Sequence, residues 1–336
     1  MAAIAPAAAA GPTVRRLASN LDNPRGVTVG LNGWVYVAQA GRGGSNAGYG
    51  TTGKITRFRS GVRQTWRSGL PSVISTEGAS GPHGVAQMSD GRVFTVVGGG
   101  PENLNTRFGE VLRVRPGLTV RIADIATYQD THPDPTDLEG NPTDSNPYAM
   151  VRVGGRLLVT DAGGNDLLLI NPVTHAIRTI AKFPNAGGAE AVPTGVAVGP
   201  DGYWYVGELK GAPFTPGTSR IWRIAPWARD VTCDPAATAS QACHLFATGF
   251  TAIVGLAFGR DGSLYVVKMV KGGLLGFFTG TDTVGALWKL RRGVKTEILP
   301  GRFTLPGGVA VSGSGNIYVT NKSVSVGAGE LLRITP

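Results

Sequence analysis

Residues 192–208 read VPTGVAVGPDGYWYVGE, and this stretch decides the fold. It holds a Pro turn, a short apolar strand, a Gly-containing hairpin turn at Asp201-Gly202, and a second strand rich in β-forming residues. The same pattern returns as NPRGVTVGLNGWVYVAQ (23–39), GPHGVAQMSDGRVFTVV (81–97), NPYAMVRVGGRLLVTD (146–161), IVGLAFGRDGSLYVVK (253–268) and LPGGVAVSGSGNIYVTN (305–321). An anchor residue opens the first strand of each copy, at Gly26, Gly84, Ala149, Gly195, Gly255 and Gly308. Asn32-Gly33, Asp90-Gly91, Asp201-Gly202 and Asp261-Gly262 read as two-residue type I′ hairpin turns, because that turn needs positive φ. The anchors lie 58, 65, 46, 60 and 53 residues apart, a spacing that suits one four-stranded sheet per repeat with loops of varied length.

Six such sheets set radially make an all-β, six-bladed β-propeller. Third strands read at 54–58, 110–114, 220–224 and 286–290, and a fourth at 177–183. The last copy supplies three strands and ends at 330–334, while 13–18 is a spare strand ahead of the first copy. The spare strand is expected to close the ring by pairing with the last blade, which removes an exposed edge. Six copies and one spare strand favour this over a seven-bladed ring or an open solenoid. The organisation is thus a tail over 1–12 and a single domain over 13–336.

Composition agrees. The chain has 336 residues with 51 Gly and 22 Pro, about twice the usual ~12% share, which argues against a helical bundle. Hydrophobic residues at 42% and charged residues at 16% exclude a disordered chain. The net charge of +10 comes from scattered basic residues with no aromatic-interleaved stripe, so nucleic acid is not an expected partner. Loose attraction to an anionic envelope or polysaccharide suits that charge better. No run of 18 apolar residues marks a membrane span. The Ala-rich tail lacks a basic n-region and looks like the start of a mature exported protein, secreted or periplasmic. Cys233 and Cys243 sit ten apart and read as an isolated disulfide suited to an oxidising compartment, two free thiols being the alternative.

Ser145-Asn146-Pro147-Tyr148 followed by VTDAGGNDLL (159–168), on the six-fold background, resembles the ScyD/ScyE family, named from the cyanobacterial scytonemin gene cluster. The resemblance covers nearly the whole chain. It implies an exported six-bladed propeller and no established reaction, and a propeller does not supply one by itself.

Propeller geometry brings the starts of first strands and the ends of second strands to one mouth. The second-strand ends hold Gln39, Val97, Asp161, Glu208, Lys268 and Asn321, five of them polar after apolar strands. A converging polar ring is what a ligand funnel needs. The first-strand starts add Arg25, His83, Asn146 and Tyr148, and Glu190 lies nearby. Binding residues are expected to be Arg25, Gln39, Asn146, Tyr148, Asn165 and Lys268, with Lys268 or Arg25 holding an anionic group. Asp161, Glu190, Glu208 and Asn321 offer oxygens for Ca²⁺ or a similar ion, and His83 is the natural general base at an unperturbed pKa. Polar strand ends also cap backbone groups, and Asp161 beside Gly163-Gly164 reads equally as a turn former.

Three insertions stand out. Residues 130–144 carry five acids without EF-hand spacing and read as a solvated loop. Residues 270–285 contain Leu274, Leu275, Phe277 and Phe278, which read as a lid, a partner contact, a membrane-touching tip, or a segment folded back on the disc. Residues 41–53 form a Gly-rich rim loop without a phosphate-binding pattern. No G-x-S-x-G, H-E-x-x-H or C-x-x-C motif occurs. The function classes are therefore three. One is a propeller of unassigned activity that binds a small molecule or protein at its mouth. The second is a metal-dependent hydrolase like sugar-lactonase propellers. The third is an envelope-associated interaction protein.

Overall fold

The computed structural model describes residues 11–45, 48–75, 78–100 and 107–336. Most of the expected tail, residues 1–10, lies outside them, as do 46–47 of the Gly-rich rim loop. Six sheets surround one axis. The fourth blade shows the pattern: Pro193–Val198 is innermost, followed outward by Trp204–Glu208, Ser219–Ile224 and Cys243–Phe250. The sixth blade consists of Gly308–Val311, Ile317–Asn321, Gly329–Thr335 and, outermost, Thr13–Leu21. Thr13 opposes Thr335 and Leu21 opposes Gly329, so the spare strand closes the ring as expected and runs three residues longer than the sequence pattern suggested.

The anchor glycines draw the blades together. A Cβ on Gly26 would lie 2.5 Å from the His83 carbonyl oxygen, and one on Gly84 would lie 2.9 Å from the Met150 nitrogen. A Cβ on Gly308 would lie 3.0 Å from the Arg25 carbonyl oxygen. At these three anchors the innermost strands pack backbone against backbone, which a side chain would obstruct; the third blade carries Ala149 at the equivalent position. Thr320 Oγ1 donates to the Arg25 carbonyl at 2.6 Å and Thr194 Oγ1 to the Ile253 carbonyl at 2.5 Å, tying neighbouring blades near the axis. Apolar side chains fill the wedges between blades; Trp222, fully buried, packs with Leu167, Phe183 and Val206.

The turns correct one expectation. Asn32 and Gly33 both have positive φ, 56° and 73°, and form the type I′ turn. In Asp90-Gly91, Asp201-Gly202 and Asp261-Gly262 only the glycine is left-handed. Gly199 N donates to Tyr203 O and Gly202 N to Gly199 O, which makes a type I turn followed by a bulged glycine. The aspartate instead accepts from the nitrogen two residues on, as Asp201 Oδ1 does from Tyr203 at 3.2 Å.

Cys233 and Cys243 form the expected disulfide, with Cα atoms 5.1 Å apart. Val231–Thr232 adds a short parallel strand to the third blade, and Cys243 opens the outer strand of the fourth. The bridge thus holds a long connection against two blades at once. No described helix is long and apolar enough to cross a membrane.

Candidate functional site

The second-strand ends reach the mouth face, but their polar groups are engaged locally. Gln39 is fully buried, donates to Thr56 Oγ1 at 2.7 Å and accepts from Asp22 N at 2.9 Å. Asn321 accepts from Thr304 N at 2.9 Å and donates to Glu330 Oε2 at 3.1 Å. Glu208 is fully buried and takes Arg220 Nε at 2.8 Å, Arg220 Nη2 at 2.7 Å and Trp222 Nε1 at 2.7 Å, with Lys210 Nζ 3.3 Å away as an ion pair. Arg220 also donates to the Pro184 carbonyl. Lys268 alone of the ring keeps a cation without a carboxylate or hydrogen-bond partner among the described residues. It sits 5.8 Å over the Trp288 ring, and burial lowers its pKa.

Asp161 is likewise a structural cap. It accepts from Asn146 N at 2.6 Å, Ser145 Oγ at 2.8 Å, Gly163 N at 3.2 Å and Gln129 Nε2 at 3.2 Å. The same Gln129 amide donates to Asp166 Oδ2 at 3.3 Å, so two fully buried carboxylates share one donor. Burial raises the Asp161 pKa to about 6. Burial, then the Asp161 charge, raises that of Asp166 well above its usual value. Asn165 accepts from Val192 N at 2.8 Å and donates to Asp134 Oδ2 at 2.9 Å. Glu190 accepts from Leu138 N at 2.8 Å. The acidic segment is therefore not simply solvated: Asp134 is buried, and Leu138 seats the loop on the fourth blade's approach.

Asp161, Glu190, Glu208 and Asn321 do not fit a shared cation. Their oxygens face backbone amides, Gln129, Arg220 and Trp222 rather than one another. Among the described residues no three His, Cys, Asp or Glu side chains group to hold a metal ion.

The first-strand starts behave differently. A narrow axial cavity of about 60 Å³ is lined by His83, Tyr148, Val254 and Gly307, each one residue before an anchor, by five of the six anchors beneath them, and by the valines, Met150 and Leu256 that follow the anchors. His83 and Tyr148 meet with ring centroids 5.0 Å apart. A Cβ on Gly98 would lie 2.4 Å from His83 Cε1, so glycine there makes room for the imidazole. Arg25 Nη2 donates to the Ala79 carbonyl at 2.6 Å. Asn146 accepts from Gly99 N at 3.0 Å and frames the same edge. Arg25 Nε, Ser80 Oγ and both ring nitrogens of His83 are buried without a well-formed hydrogen bond, although the Ala79 and Pro147 backbones approach the imidazole closely enough to favour its protonated form. Burial, then the Arg25 charge, holds the His83 pKa at about 3. His83 is thus a neutral imidazole at physiological pH and a weak base, unlike the near-neutral base its residue type suggests.

The structure brings Arg25, His83 and Tyr148 together and leaves Gln39, Asn165, Glu208 and Asn321 in separate local networks. Ser80, three residues ahead of His83, was not singled out by sequence; the only signal is its place just before a repeat. Leu274–Phe278 forms one short helix, with Leu274 buried and Phe277 packed on the core, while Leu275 and Phe278 stay exposed. Phe278 lies 5.3 Å from Phe214. The segment is half folded back and half exposed.

Fold and site together define the class: a six-bladed β-propeller with a narrow axial cavity lined by glycine and aliphatic residues, at which His83 and Tyr148 supply the polar groups. Several solved structures of similar shape carry enzyme names, and one is named as a protein of unknown function. The soluble aldose sugar dehydrogenase of Escherichia coli, in its apo form, shares 15% identity over 97% of this chain and 99% of that one, with a TM-score of 0.59. The PQQ domain of pyranose dehydrogenase from Coprinopsis cinerea, in its holo form, shares 11% over 98% and 96%, with a TM-score of 0.58. A catalytically inactive virginiamycin B lyase from Staphylococcus aureus, solved with quinupristin, shares 14% over 97% and 99%, with a TM-score of 0.53. At such identities the likeness is one of fold. No protein-family profile matches the chain, and no curated protein sequence matches it.

Proposed function

We propose that this propeller is an exported protein of the ScyD/ScyE type that takes a small polar ligand at its axial mouth, through Arg25, Ser80, His83 and Tyr148. The observation that carries the reading is a group of four buried polar atoms without well-formed partners: the two nitrogens of His83, which lines the cavity, and Arg25 Nε and Ser80 Oγ, which adjoin His83 outside the lining. Folded proteins pair nearly all such atoms with protein or ordered water, so four together mark a place that water, or a polar group displacing it, completes. His83 offers one donor and one acceptor and no charge; Arg25 adds donors only. The cavity of about 60 Å³ admits a few waters, so the ligand rests on the mouth and inserts one small group. A hydroxyl- or carbonyl-rich molecule such as a sugar or sugar lactone suits these donors and acceptors.

The enzyme names of the structural neighbours favour a catalytic form of the same reading, a hydrolase or lactonase. In it Arg25 and His83 orient and polarise a carbonyl, and His83, held neutral, positions rather than deprotonates. The reading uses no cation held by Asp161, Glu190, Glu208 or Asn321. The expression site fits an oxidising compartment through the Cys233–Cys243 bridge.

The test is a thermal-shift panel of sugars, sugar lactones and esters, run with Ca²⁺ and with EDTA, alongside a lactone and ester hydrolysis screen. At least one class should raise the melting temperature of the wild type and lose its effect in His83→Leu and Tyr148→Ala. A ligand whose shift survives both substitutions would place binding elsewhere. A shift or turnover that needs Ca²⁺ would require a cation site outside the four residues named above.

A further inference from the structure

We propose that the propeller carries a second binding site, for a ligand bearing two or more oxyanion groups, in the arginine-lined groove between the last and first blades. The groove has a volume of about 590 Å³ and is lined by Arg15, Arg16, Arg59, Arg63, Arg333 and Tyr318, with no Asp or Glu. It lies at the Gly33 and Gly61 hairpin turns, on the face opposite the axial mouth. That volume falls in the range of small-molecule sites.

The strand register shows that this is more than a chance collection of surface charge. Arg15 stands directly opposite Arg333 across the closing strand pair, and Arg333 stands opposite Tyr318 on its other side. Like charges in a directly opposed pair repel and destabilise a sheet. No carboxylate relieves them: among the described residues Arg15 makes no ion pair, and Arg333 Nε is buried without a partner. Arg16 is the exception at the rim, 3.3 Å from Glu330. Across the seam, Arg59 stacks 4.6 Å over Trp34, and Arg63 donates to the Ser19 carbonyl at 3.0 Å. These contacts, with Arg59 Nη1 donating to the Asn32 carbonyl at 3.3 Å and Arg63 Nη2 to the Asn20 carbonyl at 3.4 Å, fix two guanidinium groups in the lining of the groove that the opposed pair also lines. All the cations are arginine, whose planar fork suits phosphate, sulfate and carboxylate oxygens. A multiply charged oxyanion would satisfy Arg333 Nε and relieve the Arg15–Arg333 repulsion in one step.

Isothermal titration with tripolyphosphate and with a sulfated, uronate-bearing disaccharide, at fixed ionic strength, tests this. The wild type should bind at least one probe saturably, and the tighter of the two names the source of the oxyanions. Arg15→Gln and Arg333→Gln should each weaken binding about 10–100-fold, the loss of a charge-assisted contact. Arg15→Gln should also melt higher than the wild type in the absence of anion. Arg152→Gln, a change at an exposed arginine of the third blade, should bind as the wild type does. No saturable binding to the wild type would overturn the proposal, as would equal weakening by Arg152→Gln, which would show attraction to net charge alone. These outcomes do not depend on the axial mouth.

Discussion

Glu208→Gln tests whether the mouth carboxylates are structural. The substitution keeps the shape of the side chain and removes its charge. Around it lie Arg220, bidentate at 2.7 and 2.8 Å, Trp222 Nε1 at 2.7 Å and Lys210 Nζ at 3.3 Å. The variant leaves Arg220 and Lys210 buried without a counter-charge and turns an NH₂ group toward at least one donor. Lys210 can shed its proton, since burial already lowers its pKa; Arg220 cannot. Removing one partner of a buried pair costs about 3–5 kcal/mol. With an unfolding entropy of about 2.1 cal/mol/K per residue, the 336 residues give about 0.7 kcal/mol/K, so the melting temperature should fall by about 4–7 °C. Scanning calorimetry reads the shift, and urea unfolding with an unchanged m-value checks that the transition is the same. Arg220→Gln and the double variant complete a cycle that should be strongly non-additive, because the two residues share one network. A melt within about 1 °C of wild type, or a purely additive cycle, would refute the reasoning and return Glu208 to the set of free ligand oxygens.

Three further outcomes follow from the same structure. His83 has a folded pKa of about 3, below its unfolded value near 6.5, so its contribution is full above 6.5 and is lost as pH falls toward 3, at up to roughly 1.4 kcal/mol per unit. His83→Leu should therefore lose less stability than the wild type between pH 6 and 4 in parallel melts; equal slopes would mean the imidazole is not held neutral. Asp166 has the opposite sign: its raised pKa gives stability that is full below the unfolded value and lost as pH rises through the folded one. Asp166→Asn should melt higher than the wild type at pH 8 and no higher at pH 4, and a gain at both would assign the effect to packing. Reducing the Cys233–Cys243 bridge opens a loop of ten residues, worth about 2.7 kcal/mol by loop entropy, so dithiothreitol should lower the wild-type melt by about 4 °C and leave the double Cys→Ser variant unmoved.

The ring was legible because its signal repeats. Six Pro/Gly-anchored strand pairs recur at intervals of 46 to 65 residues, and the spare strand at 13–18 had one free edge to meet. The turn types were legible only in part. Asn32-Gly33 and Asp201-Gly202 look alike in sequence, yet aspartate at the third position of the type I turn over 199–202 bonds the backbone ahead of it and has no need of positive φ. The polar ring at the second-strand ends was equally visible, but its purpose was not. That Glu208 is polar can be read from residue 208; that its oxygens are taken by Arg220 and Trp222 depends on a strand a dozen residues on. Asp161 shows the same limit, since Gln129, its partner, comes from the blade before. The axial cluster was half visible: Arg25, His83 and Tyr148 fall at one position of the repeat, while Ser80 carries no mark. The opposed arginines at 15 and 333 could be paired only once the closing register was known.

Because Thr13 faces Thr335, the sixth blade is built from the two extremes of the described chain. During synthesis five blades can form in turn, but Thr13–Leu21 has no partner until the last strand emerges. Contacts of such long sequence separation form slowly, and meanwhile the unpaired strand Thr13–Leu21 and the unfinished sixth blade present raw edges of the kind that invite aggregation. The molecule becomes a single cooperative object only at that final step. Its vulnerability is therefore one of timing, concentrated in the interval between the first strand's appearance and the last strand's arrival.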